Sequence, residues 1–298
     1  MMRVYETHSY WVDDLSPFLL RFSDSWGIRY YGLAYAFGFL IGGFLLSCYW
    51  RAGRSALNPK VQSDLMIAVV IGVFAGGRLG YFLFYSPMTL LREPWTVLRV
   101  WEGGMSSHGG FIGVCLAMIW LVKKHKLAWR PVADILVTLA PPGLFLGHVA
   151  NFINGELWGK VAYVPWAVIF PKSAPAGTPV VEIPPRHPSQ LYEALLEGLF
   201  LTIYTQLRFW CSPATRERPG QLAGEFLILY AMVRAVGEIF REPDASLLFG
   251  LSRGTFYSVF LVISGLVICG ITRRKSRHSM TKKKLLAEVQ NTLARFLK

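Results

Sequence analysis

The densest polar chemistry of the chain lies in His148-Val149-Ala150-Asn151-Phe152-Ile153-Asn154-Gly155-Glu156-Leu157-Trp158-Gly159. An imidazole, two carboxamides, a carboxylate and two glycines follow an apolar run there. Hydrocarbon cannot satisfy such groups, so in an apolar chain they form either a working cluster or the capped end of a helix. On a helix, His148 and Asn151 are three apart and Asn151 and Gly155 four apart, which puts them on one face. Gly155 and Gly159 let the backbone turn or meet a partner closely.

Other polar groups recur at the edges of apolar runs. Arg78 sits in Gly76-Gly77-Arg78-Leu79-Gly80-Tyr81-Phe82. Close helix packing accounts for the glycines but not for the arginine, which needs an anion or several carbonyls. His108 lies between two glycine pairs, Gly103-Gly104 and Gly109-Gly110, as a structural residue or a catalytic one. Tyr31 belongs to Trp26-Gly27-Ile28-Arg29-Tyr30-Tyr31-Gly32, which reads equally as an interfacial aromatic belt. Glu193 and Glu197 share a helix face as potential buried partners for arginines. Arg234 and Glu238 are spaced i,i+4, and Glu238 and Arg241 i,i+3, as in a salt-bridge ladder. Arginines beside histidines and carboxylates suit a phosphate ester, because guanidinium pairs with phosphate through two parallel hydrogen bonds. A bilayer supplies that anion as a phospholipid head group. No Walker A run, zincin motif or G-x-S-x-G is present. The four cysteines are too scattered for a metal or redox motif, so neither a metal nor a cofactor is expected. Without an evident protein nucleophile, the simplest enzyme passes a lipid group directly to a second substrate.

The elements that must carry these groups are membrane helices. Of 298 residues, 53% are hydrophobic and only 16% charged, with a mean hydropathy of +0.38. Soluble domains carry about a quarter charged residues. Seven windows are long enough to span a bilayer: 29–50, 63–86, 106–122, 131–151, 189–209, 221–240 and 255–272. The fourth is the weakest, since Pro141-Pro142 interrupts it. The fold expected is an all-α polytopic membrane protein with seven transmembrane helices, an outer-leaflet polar cavity and a small periplasmic cap. One domain covers 1–272, with a periplasmic segment at 1–28 and a proline-rich cap loop at 152–188. A basic tail follows at 273–298. Connections at 51–62, 123–130 and 210–220, with that tail, collect most of the arginine and lysine. The positive-inside rule therefore places the amino terminus in the periplasm and the carboxyl terminus in the cytoplasm. In this topology the polar stretches all fall at outer helix ends, which points to a site open to the outer leaflet and disfavours a midplane transporter. The +13 charge is then a face for anionic membrane lipids. Nucleic acid is excluded as a partner, because the basic residues form no aromatic-interleaved patch or reader motif.

The run from His148 to Gly159 resembles the bacterial prolipoprotein diacylglyceryl transferases. So do Gly77-Arg78-Leu79-Gly80-Tyr81, His108-Gly109-Gly110, Arg186-His187-Pro188-Ser189-Gln190-Leu191-Tyr192-Glu193 and Arg241-Glu242-Pro243-Asp244. The resemblance covers all seven spans. It implies an inner-membrane enzyme that moves diacylglyceryl from phosphatidylglycerol to the lipobox cysteine of prolipoprotein signal peptides, releasing glycerol phosphate. It carries Tyr31, His108, Asn151, Glu156, Gly159, Arg234, Glu238 and Arg241 onto positions important in the family. Arg234 would hold the leaving phosphate, Glu238 would orient Arg234, and Asn151 would bond an ester or head group. His108 would take the thiol proton, with an arginine-assisted thiolate as the alternative. Tyr31 joins this catalytic set, while Arg78, His148, Asn154, Glu156, Gly159 and Arg241 line the substrate. His148 stands where the family pattern has arginine, and Thr255 where it has glutamine. The loop between Trp158 and Arg186 is short. The second reading is accordingly an impaired paralogue that binds phospholipid or prolipoprotein without transfer.

Overall fold

The computed structural model describes residues 10–23, 26–99, 103–243 and 249–273. The basic tail beyond Arg273, Trp101 and Glu102 of the His108 stretch, and Asp244 of the Arg-Glu-Pro-Asp run lie outside the described residues. Helix is present over each of the seven apolar windows. In chain order these helices are α1 (Tyr30–Arg51), α2 (Pro59–Tyr85), α3 (Pro87–Arg92), α4 (Ser107–Lys124) and α5 (Trp129–Ile153). There follow α6 (Ser189–Glu193), a π-helical turn (Ala194–Phe200), α7 (Leu201–Cys211), α8 (Ala214–Glu217), α9 (Gln221–Phe240) and α10 (Arg253–Arg273). Among the described residues, α1, α2, α5 and α10 are long and apolar enough to cross a membrane. α9 misses that standard because Glu225, Arg234 and Glu238 interrupt its apolar sequence. α5 runs through Pro141 and Pro142, so the window with the weakest sequence signal is one of the four. Large apolar side chains stay exposed along these helices, among them Leu40 and Phe44 of α1 and Ile263 and Leu266 of α10. A helix wetted by water would bury such groups; one wetted by lipid need not. The chain is a multi-pass helical membrane protein.

The connections depart from an all-α description. β1 (Trp11–Val12) pairs in parallel with β4 (Val168–Ile169), and β2 (Phe18–Arg21) pairs antiparallel with β3 (Gly27–Arg29). Prolines and aromatics keep these segments extended, and short ladders satisfy their backbone groups.

The chain divides into two compact units, one of residues 39–139 and one of residues 1–38 with 140–298. In the unit of 39–139, Asn58 caps α2 by accepting from Val61 N at 3.1 Å, and Pro59 occupies its first turn. Ser106 caps α4 by accepting from Gly109 N at 3.2 Å. Glycines then bring the two helices together. A Cβ on Gly72 would strike Gly113 O, one on Gly76 would strike Gly109 O, and one on Gly80 would strike Gly109 Cα. Backbones meet this closely only where side chains are absent. At the opposite end, Asp64 takes Lys124 and His125, each at 2.8 Å.

In the other unit, α9 and α10 meet through Gly224 and Gly265, where either Cβ would press on the facing glycine's carbonyl. Arg208 grips Glu225 with two hydrogen bonds of 2.9 and 2.6 Å, which ties α7 to α9.

Candidate active site

The unit of residues 1–38 and 140–298 holds a buried charge cluster drawn from α5, α6, the π turn and α9. Glu193 and Glu197 are 0% and 1% exposed. Arg234 Nη1 reaches Glu193 Oε1 at 3.3 Å and Glu197 Oε1 at 3.1 Å, while its Nη2 donates to Glu238 Oε1. Arg241 Nη1 lies 3.0 and 3.1 Å from the two oxygens of Glu193. His148 Nδ1 is 3.1 Å from Glu193 Oε2 and its Nε2 is 3.5 Å from Glu197 Oε2. Neither contact meets hydrogen-bond geometry at Nδ1 or Glu197 Oε2, so the ring rests between the carboxylates by charge and position rather than by aligned bonds. Two arginines face three carboxylates, and a protonated His148 would make the charges three against three. A π turn widens the helix at Ala194–Phe200 directly after Glu193, and such turns frequently mark functional sites.

The structure thus brings together His148, Arg234, Glu238 and Arg241 of the sequence-derived set, with Glu193 and Glu197 as the arginines' partners. The spacing of Glu238 and Arg241 suggests a pair, but Arg241 turns to Glu193 instead. Gly254 abuts the same group: a Cβ there would overlap the Glu238 carboxylate and lie 3.0 Å from Arg234 Nε. Ser252 caps α10, its Oγ accepting from the Thr255 N–H at 3.1 Å. Tyr230, which sequence reasoning missed, hydrogen-bonds Glu197. The available signal was its place four residues before Arg234, on the same helix face.

The His148–Gly159 stretch begins as the last turn of α5 and then leaves the helix. Gly155 at φ 59° and Leu157 at φ 58° turn it through left-handed backbone. Its carbonyls are collected from outside: Gln190 Nε2 donates to Glu156 O at 2.7 Å and Ser189 Oγ to Leu157 O at 3.1 Å. Arg186 Nη1 donates to Gly159 O at 3.1 Å, and Gly159 N donates to His187 O at 3.0 Å. Gly159 also bridges to Arg241 along the backbone, and a Cβ there would strike His187 and Phe240. Gly159 therefore acts through close packing. Asn154 Nδ2 donates to Glu156 Oε1 at 3.4 Å. Tyr31 packs on the Tyr35 ring, centroids 5.4 Å apart, and lies within electrostatic reach of Glu156. Three amide oxygens, Asn151 Oδ1, Asn154 Oδ1 and Gln190 Oε1, are buried without a hydrogen-bond partner among the described residues. Buried acceptors of this kind await a donor, because leaving one unmade costs about 1–3 kcal/mol.

Arg78 and His108 belong to the unit of residues 39–139. Arg78 is 3% exposed, and its guanidinium donates to the carbonyls of Thr96, Val97, Arg99, Gly103 and Gly104. Of the two partners the sequence allowed it, an anion or several carbonyls, the structure supplies the carbonyls. His108 lies in the first turn of α4, between Ser106 and Gly109.

Fold and site together define a class: a multi-pass membrane protein that buries a cluster of arginine, histidine and glutamate among apolar helices. Buried ionisable groups in such helices mark function by default. The family of prolipoprotein diacylglyceryl transferases matches residues 17–271 of the chain. The chain belongs to that family. It is 42% identical over 256 residues to the phosphatidylglycerol–prolipoprotein diacylglyceryl transferase of Zymomonas mobilis, covering 85% of this chain and 86% of that protein. The proteins of the same name from Rhodospirillum centenum and Cereibacter sphaeroides are 44% and 40% identical, over 81% and 88% of this chain and 86% and 97% of theirs.

Proposed function

We propose that the protein transfers the diacylglyceryl group of phosphatidylglycerol to the lipobox cysteine of prolipoproteins. The family match over residues 17–271 carries this reading. In the reaction, the cysteine sulfur attacks the glyceryl carbon that bears the phosphate ester. A carbon–sulfur bond forms, the carbon–oxygen bond breaks, and glycerol phosphate leaves with the electron pair. The thiol proton passes to the His108 imidazole, the side chain most often used as a general base. Arg234 stabilises the leaving phosphate, with Glu193, Glu197 and Glu238 fixing its guanidinium. Its Nε has no acceptor among the described residues. Asn151 and Asn154 offer their buried amide groups to the lipid or peptide, and Tyr31 stands with Glu156 at the same stretch.

In this reading seven helices cross the inner membrane. The amino terminus and the 152–188 cap are periplasmic, the carboxyl terminus is cytoplasmic, and a polar cavity opens to the outer leaflet. The excess of basic residues at one set of connections supports the orientation. The test is transfer in nanodiscs: phosphatidylglycerol and a lipobox peptide should yield a peptide heavier by one diacylglyceryl group. The same gene should restore growth to cells depleted of their transferase. Lipid binding without transfer, and no growth, would establish the non-catalytic paralogue, for which His148 is the specific observation.

A further inference from the structure

Arginine has five N–H donors, and at Arg78 all five are spent on backbone. Nε donates to Val97 O at 3.1 Å. Nη1 donates to Gly103 O and, at 3.2 Å, to Gly104 O. Nη2 donates to Thr96 O at 2.7 Å and Arg99 O at 2.6 Å. The remaining face of the guanidinium lies 4.8 Å from the Phe82 ring centroid. A phosphate could bind here only by displacing buried carbonyls, each of which would then lack a donor. Arg234 is different: three of its N–H groups meet carboxylates, and Nε and one Nη2 hydrogen have no acceptor among the described residues.

The carbonyls that Arg78 gathers lead directly into α4. Gly103 and Gly104 take φ of 79° and 77°, values that favour glycine. Two residues on, Ser106 N donates to Gly77 O at 2.9 Å, next to Arg78 on α2. Gly109 then packs on Gly76 and Gly80. His108 is held between these two anchors. We propose that Arg78 is a positioning residue for His108, setting the first turn of α4 through the backbone it clamps, and does not bind the lipid phosphate.

The kinetic part of the test rests on the transfer reaction proposed above; the labelling part does not. Two full-length variants in nanodiscs separate the roles. Arg78→Lys keeps a cation but has three donors for five carbonyls. Gly104→Ala keeps the guanidinium but presses a Cβ onto Arg78 Nη1 and the Tyr81 ring. Both should lower kcat by about 10²-fold, the scale of a small displacement of a reacting group, with the KM for phosphatidylglycerol within about twofold. In a His108→Gln background the same changes should cost less than about threefold, since they act through the lost imidazole. Independently, diethyl pyrocarbonate labelling read by mass spectrometry should change in rate at His108 in both variants and stay constant at His125, at the far end of α4. A raised KM in Arg78→Lys with Gly104→Ala silent would overturn the proposal in favour of a phosphate ligand. So would full additivity with His108→Gln. If the wild-type protein transfers no lipid, the transfer reading fails, and unaltered His108 labelling in both variants would overturn the positioning role as well. Should Arg78→Lys not accumulate, Gly104→Ala decides alone.

Discussion

Arg234 and Arg241 share Glu193, and His148 faces the same carboxylate, so no member of the cluster is independent. Removing one partner of a buried pair leaves an uncompensated charge, which costs about 3–5 kcal/mol. Arg234→Ala should therefore lower stability by that amount in detergent unfolding, and abolish transfer in the same preparation. Arg234→Lys should recover much of the stability but little of the turnover, because one ammonium cannot hold three carboxylates and a phosphate in a planar fork. Equal recovery of both would assign Arg234 to folding alone. At His148, arginine would bring a permanent charge and more donors than imidazole. His148→Arg should raise the transfer rate measured with phosphatidylglycerol and a lipobox peptide. Loss of wild-type activity on that change would mean that the cluster is rebuilt around the imidazole.

At the scale of elements, the glycine contact of α2 with α4 and the strap over the 151–155 stretch make separate demands. Gly76→Ala drives a methyl into Gly109 O, and such overpacking costs about 1–3 kcal/mol. Gly43→Ala, with open space around it, should leave the midpoint unchanged or raise it slightly. Thermal unfolding of both variants should separate them, and equal loss would show that helix propensity rather than contact governs. The strap is built from Trp11 stacked on Phe152 at 5.6 Å, the β1–β4 pairing, and Asp13 against Gly155. Burial raises the Asp13 carboxyl above its ordinary 3.8, opposed by the Leu15 N–H, then by Lys172. A carboxyl with a raised folded pKa binds more protons folded than unfolded, so its contribution to stability falls as pH rises from about 4 through the folded value. Asp13→Asn should accordingly raise Tm at pH 7, keep the Leu15 contact, and give no gain below about pH 4. A lower Tm at pH 7 would mean that the charge is needed, with Lys172 as its partner.

For the whole molecule the decisive quantity is orientation. With native cysteines replaced, since Cys115 and Cys211 are exposed, single cysteines report sidedness. One placed within residues 165–180 should react with a membrane-impermeant maleimide in cells whose outer membrane alone is permeable. One placed within 276–284 should react only after the inner membrane is opened. The reverse pattern would move the Arg234 cluster to the cytoplasmic face and contradict a reaction with exported prolipoproteins.

Much of this was legible in the residues. Apolar length marked every helix window, because a bilayer demands about 20 apolar residues whatever they pack against. An arginine at 78 and another at 234 had to be partnered, since hydrocarbon offers no alternative. The motif from Asn151 to Gly159 was enough for the family. Glu193 and Glu197 were legible as partners for arginines, but which arginine each would meet was not. Sequence spacing matched Glu238 to Arg241 and left open whether Arg78 meets an anion or several carbonyls. Tertiary structure gave Arg241 to Glu193 and filled Arg78 with carbonyls from residues 96–104. It also packed Gly159 against His187 and Phe240. Spacing along one helix reports which groups share a face. Which group from another segment meets them depends on where loops return, and those returns are set by contacts distant in sequence.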